Sequence, residues 1–201
     1  MIPRVGAALL VALVVATVSC QVQDASVPAP EAVPAARAVV VPDSIARHLA
    51  ERAASLTPAE VERVADAIRV ESARFGLPTG LVLAMIEVES QFDAFAVSRV
   101  GAMGMMQILP STGKALAARL GMGWRGPRTL FDPVANVRLG IAYLAELRDR
   151  FGHLPTALAA YNWGPSAIGR RLSTGAPIPK GYVQRVLAVQ RRGAQPEAST
   201  S

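Results

Sequence analysis

The sequence predicts an all-α fold, with a single helical domain over residues 43–192 between an apolar N-terminus and a short polar tail. Three observations support this. Apolar residues recur at helical spacing from Val61 onward, start and stop signals bracket several of these stretches, and no strand-like alternation of useful length appears. Composition agrees with the pattern. Hydrophobic residues make up 51% of the 201, but Ala and Val supply much of that, with only five Phe, two Trp and three Tyr. A core of small aliphatic side chains suits close helix packing better than a strand-rich sandwich. The length accommodates one ordinary domain with accessory segments, and hardly two.

The N-terminus comes first. Arg4 precedes an uncharged run from Val5 to Val18, too short for a bilayer span of roughly 20 apolar residues and suited to a signal peptide over residues 1–19. Thr17-Val18-Ser19-Cys20 resembles the lipobox of bacterial lipoproteins, in which the Cys is acylated and becomes the mature N-terminus. Thr17 stands where Leu or another aliphatic is usual, and an ordinary cleaved signal with an incidental thiol is the alternative. Cys20 is the only cysteine, which excludes a structural disulfide and a Cys-based metal site. On either reading the chain leaves the cytoplasm. Gln21 after Cys20 favours an outer-membrane anchor facing the periplasm. Residues 20–42, with prolines at 28, 30, 34 and 42, read as an extended tether behind the lipid, and residues 193–201 as a disordered tail.

Charge narrows the partners. The formal net charge is +6, and all basic residues except Lys114 and Lys180 are Arg, scattered along the chain. A basic exported protein meets anionic wall or membrane material, not nucleic acid. No metal or other cofactor is expected, because neither His48 nor His153 has ligands at metal spacing.

The helices follow in order. Thr57-Pro58-Ala59-Glu60 combines a hydroxyl cap, an early Pro and a Glu three residues on. Val61, Val64, Ala65, Ile68 and Phe75 keep the helical spacing until Gly76 stops it. Pro78-Thr79-Gly80 opens a second helix through Leu81 to Ser90. Others are predicted at about 111–120, 134–151, 155–162 and 180–192. Residues 97–106 and 121–132 are Gly-punctuated and read as loops.

Glu89 stands out on the second helix. Val82, Met85 and Ile86 share one face by the i, i+3, i+4 rule, and Glu89 falls on that stripe. Glu87, roughly 200° around the axis, faces elsewhere. Burial would raise the pKa of Glu89 and suit it to general-acid work. Spacing alone leaves a second reading open, a solvated residue at a frayed helix end.

The motifs around it are more specific. Ile86-Glu87-Val88-Glu89-Ser90-Gln91-Phe92, then Ala96-Val97-Ser98, then Gly101 to Pro110, and later Ala159-Ala160-Tyr161-Asn162-Trp163-Gly164-Pro165, stand in fixed order. Together with Asn136 to Leu144, they resemble the soluble lytic transglycosylase family over about residues 60–190. That family carries Glu-Ser-x-Phe, Gly-Leu-Met-Gln and Ala-Tyr-Asn-x-Gly motifs on a goose-type lysozyme-like helical domain with a catalytic groove. Here the second motif reads Gly-Met-Met-Gln. Pro177-Ile178-Pro179-Lys180-Gly181-Tyr182-Val183 keeps the family's Tyr but lacks the acidic Glu-Thr pair often found before it.

The resemblance implies a set of roles. Glu89 is the catalytic acid, and the Tyr161 hydroxyl lies near it to orient the carboxyl. Ser98, Gly104, Met105, Met106, Gln107, Asn162 and Tyr182 line the sugar-binding groove, with Asn162 tying backbone behind Tyr161. Duller accounts stand beside these: Tyr161 bonded to a structural partner, Met103, Met105 and Met106 packed in the core, and Trp163 either stacking on a sugar or buried. The implied reaction is lysis of peptidoglycan glycan strands by a monomer, with 1,6-anhydro ends and no cofactor. A hydrolytic muramidase using the same acid, or a wall-binding lipoprotein without activity, are the alternatives.

Overall fold

A computed structural model describes residues 44–194. The predicted signal peptide, the lipidation site Cys20, the tether to residue 42 and the tail from residue 195 lie outside these described residues. Within them the all-α expectation holds. The helices are α1 (Ser44–Arg52), α2 (Pro58–Phe75), α3 (Thr79–Ser90), α4 (Pro110–Arg119), α5 (Pro133–Phe151), α6 (Leu154–Trp163), α7 (Pro165–Ser173) and α8 (Gly181–Gly193). Gly193, assigned to the tail from sequence, closes α8 instead.

Local chemistry explains the boundaries. At α2, the Glu60 N–H donates to Thr57 Oγ1 at 3.3 Å, and the Thr57 N–H donates to Glu60 Oε2 at 2.8 Å. This reciprocal cap satisfies two otherwise orphaned donors. The helix stops at Gly76, whose φ of 62° is left-handed, and Arg148 on α5 donates to the Phe75 carbonyl at 2.6 Å. Asp132 caps α5 by accepting from the Ala135 N–H at 2.9 Å.

α5 is the central element, packed against α2, α4 and α6. Its Val137, Leu139, Ile141 and Leu144 are fully buried, and so are Val64, Ala65 and Ile68 of α2. In α6 four successive residues, Ala157 to Ala160, are buried, so this helix is enclosed on most sides. α3 leans on α2 and α8, with Leu81, Val82, Met85 and Ile86 buried.

Three elements differ from the sequence reading. α1 is a nine-residue helix buried through Ile45, Ala46 and Leu49, and it follows the Pro-rich stretch too closely for its periodicity to stand out. α7 buries only Ile168; its start signal, Pro165 behind Gly164, coincides with a motif. A 3₁₀ turn at Pro127–Phe131 interrupts the predicted loop and buries Leu130.

Candidate active site

α3 delivers Glu89 at its penultimate position and then stops abruptly. Gln91 and Phe92 adopt φ of 53° and 66°, left-handed conformations costing a non-glycine residue about 1 kcal/mol or more each. Surrounding contacts hold the reversal. The Phe92 ring is buried and meets the His48 ring edge-on at 5.4 Å, and the Ala94 N–H donates to Ser55 Oγ at 3.1 Å. Asp93 therefore leaves the face of Glu89: it is exposed, and its carboxylate accepts from the Phe95 N–H at 2.8 Å. Glu87 faces away as predicted and pairs with Arg52 at 3.1 Å and Arg192 at 3.6 Å.

Residues 96–108 form a tight loop beside this helix end. Met103 and Ile108 exchange both backbone hydrogen bonds at 3.0 Å, and Ser98 Oγ accepts from the Ala102 N–H at 3.0 Å. Gly104, at φ 76°, is required twice over, because a Cβ there would collide with the Leu130 carbonyl and the Asn136 side chain. Asn136 is wholly buried on α5 and fully bonded. Its Oδ1 accepts from the Met106 N–H at 2.7 Å, while Nδ2 donates to the Met103 carbonyl at 2.8 Å and the Leu130 carbonyl at 2.9 Å. Gln107, at φ 48°, donates from Nε2 to the Ala96 and Gly104 carbonyls at 3.1 and 2.9 Å.

The loop is tied to the helices that carry the acid. Ser90 Oγ donates to the Met105 carbonyl at 2.8 Å, and the Tyr161 hydroxyl donates to the Met106 carbonyl at 2.8 Å. Met105 and Met106 are fully buried, and Gly140 on α5 leaves the space that Met106 fills. Their side chains are core, as the duller account had it. Met103 is only partly buried against that core.

The carboxyl itself has a different partner from the one the motifs implied. The Tyr182 hydroxyl, from the start of α8, donates to Glu89 Oε1 at 2.6 Å, whereas the Tyr161 hydroxyl turns to the loop backbone. Tyr161 lies near enough for the Glu89 charge to act on it, but the orienting bond comes from Tyr182. Asn162 is exposed on α6 rather than tied behind Tyr161. Trp163 is 52% exposed, with the Arg171 guanidinium 5.8 Å from its ring, so it is not core.

Burial dominates the electrostatics. It pushes the Glu89 pKa up to about 7, against the opposing pull of the Tyr182 hydrogen bond and the Arg185 charge. The same burial, with the Glu89 charge beside them, raises both Tyr161 and Tyr182 well above the usual phenol value, so both hydroxyls remain donors. Tyr182 engages one carboxyl oxygen, Oε1, and Oε2 has no hydrogen-bond partner among the described residues. Asn136 and Ser90 received no role from sequence, although Asn136 shares the apolar face of α5 with Val137, Leu139 and Gly140. A polar amide on such a face marks a buried bonding hub.

Known proteins resemble this chain in sequence and fold. The family model described as Transglycosylase SLT domain matches residues 66–176. Membrane-bound lytic murein transglycosylase C of Histophilus somni (strain 2336) is 32% identical over 162 residues, covering 76% of this chain and 42% of that protein. A transglycosylase of Enterobacteria phage PRD1 is 37% identical over 99 residues, covering 49% of this chain and 34% of the phage protein. The 70 kDa soluble lytic transglycosylase Slt70 of Escherichia coli superposes with a TM-score of 0.58 at 29% identity, covering 64% of this chain and 23% of Slt70. The chain thus spans about two fifths of the length of the Histophilus relative. Because the family match runs over more than half of its residues, the chain belongs to the Transglycosylase SLT domain family.

Proposed function

We propose that this protein is a lytic transglycosylase that cleaves the β-1,4 bond between N-acetylmuramic acid and N-acetylglucosamine in peptidoglycan. The observation that carries the reading is the part-buried carboxyl group of Glu89, with a pKa near 7 and one oxygen held by Tyr182, whereas the more deeply buried Glu71 is neutralised by Arg74 and Arg138. A general acid works best with a pKa near the operating pH. Glu89 donates its proton to the bridging oxygen as the bond from that oxygen to the muramyl C1 breaks. The substrate's own acetamido oxygen supports the positive charge left on C1. Glu89, now ionised, removes the proton from the muramyl 6-hydroxyl while that oxygen bonds to C1. The 1,6-anhydro ring closes, the acid is restored and no water is consumed.

Glycosidases that rely on two carboxyl groups keep both beside the scissile bond. The exposure of Asp93, and its bond to the Phe95 N–H, support a one-carboxyl mechanism instead. Ser98, Gly104, Gln107 and the backbone of Met105 and Met106 form the proposed groove wall, and exposed Asn162 and Trp163 its far rim. Acylation of Cys20 would hold the enzyme at the outer membrane with its substrate in the periplasm, acting as a monomer.

Mass spectrometry of peptidoglycan digested by the soluble protein beginning at residue 21 tests this, with Glu89→Gln alongside. The expected result is anhydromuropeptides from the wild type and none from the variant. Reducing-end products would replace the reading with a muramidase, and no products with intact binding would leave a wall-binding protein.

A further inference from the structure

A cleft of about 830 Å³ opens between the last turns of α3 and the outer face of α8, and Glu89 does not line it. Its walls combine two chemistries. Val88, Phe92 and Val189 are apolar, while Arg52, Arg185, Arg191 and Arg192 set four guanidinium groups against the single carboxylate of Glu87. That carboxylate is already engaged by Arg52 and Arg192. Arg191 has no carboxylate within ion-pair distance among the described residues, and the Arg185 guanidinium lies 5.9 Å from the centre of the Tyr182 ring. Excess positive charge around a partly apolar cleft selects an anion with a hydrocarbon frame.

Spacing narrows the ligand further. Arg185 and Arg192 are seven residues apart on one helix, about 10 Å at 1.5 Å per residue. One phosphate does not bridge that span. An extended peptide covers it with about three residues at roughly 3.3 Å each. A bilayer surface fits poorly, because the guanidinium groups border a recess rather than a protruding face. We propose that this cleft binds a short acidic peptide, its carboxylates on Arg185, Arg191 and Arg192 and its alkyl portions on Val88, Phe92 and Val189. The peptide's source rests on the function proposed above: short peptides with free carboxylates branch from the glycan strand, and Arg185 lies between this cleft and Glu89, whose ionisation it influences. The strand would then be held by its sugars at Glu89 and by its peptide across α8.

The test has two arms. In the first, calorimetry follows acetyl-triglutamate binding to the protein and to an Arg191→Glu, Arg192→Glu variant. Saturable binding is expected, weakened about tenfold or more in the variant and weakened by added salt, with no binding of the triglutamine analogue. Equal affinity for inorganic phosphate, binding unaffected by the charge reversal, or binding confined to phosphatidylglycerol vesicles would each overturn the assignment. In the second arm, both proteins digest glycan strands with their peptides intact or removed by an amidase. The variant is expected to be slower on intact strands and equal to wild type on stripped ones, which also shows that it folds. Equal rates for both proteins on both substrates would remove the peptide subsite while leaving the enzyme. Peptide binding without cleavage of either substrate would remove the enzyme reading and leave the cleft.

Discussion

The Tyr182 hydroxyl donates to Oε1 of Glu89 at 2.6 Å across the packing of α8 on α3. This bond favours the ionised carboxyl group and opposes the burial that raises its pKa. Tyr182→Phe removes the donor and keeps the ring. The pKa of Glu89 should then rise above 7, moving the alkaline limb of the pH–rate profile upward. The maximal rate should fall about tenfold, because the carboxyl loses its orienting partner. Turnover of purified strands between pH 5 and 9 checks both effects, and a fall in rate with an unmoved limb would mean that Tyr182 only shapes the groove.

Glu89 should also cost the fold stability at high pH. Its folded pKa of about 7 lies above the ordinary 4.5, so the folded state binds the proton more tightly than the unfolded chain. That advantage is complete below pH 4.5 and disappears as pH rises through 7. Glu89→Gln keeps the shape without the buried charge. The variant should match wild type near pH 4 and exceed it by about 2–3 kcal/mol above pH 8. Urea unfolding at several pH values measures the difference, and a pH-independent offset would contradict the buried-acid account.

How much of this was legible depended on whether a residue acts within its own element. The cap at Thr57 and the stop at Gly76 are local, and so is the stripe that turns Glu89 inward from α3, so periodicity and capping chemistry found them. The partner of Glu89 was not legible, because Tyr161 and Tyr182 come from different helices and only packing decides which hydroxyl meets the carboxyl. Asn136 escaped notice for a related reason. Its three bonds reach backbone groups 6 to 33 residues away, and neither helical spacing nor motif order encodes those distances. The α3–α8 cleft needs tertiary structure, since Arg185, Arg191 and Arg192 lie together on α8 but Arg52 of α1 and the apolar Val88 and Phe92 join them only through packing.

Asn136 therefore provides a test of the loop. Asn136→Asp preserves shape and the bond from the Met106 N–H, but replaces a buried donor by an acceptor facing the Met103 and Leu130 carbonyls. Two lost bonds and a desolvated charge should cost about 3 kcal/mol or more. Thermal unfolding gives the magnitude. Activity should fall further than the folded fraction does, because the displaced loop also carries the Met105 and Met106 carbonyls that anchor Ser90 and Tyr161. Near-wild-type stability would show that the amide is not the hub its geometry describes.

Two glycines in the same loop separate backbone strain from collision. Gly101 and Gly104 have φ of 80° and 76°, so an added Cβ costs each about 1–2 kcal/mol for the left-handed conformation alone. At Gly101 the new methyl group meets nothing within 4 Å, whereas at Gly104 it strikes the Leu130 carbonyl and Asn136. Gly101→Ala should stay within that conformational cost and retain activity. Gly104→Ala must displace the 3₁₀ turn or the Asn136 amide, so it should lose about 3 kcal/mol or more and most of its activity. Equal losses in denaturant unfolding would assign the whole effect to φ and remove the close contact as the reason for glycine at position 104.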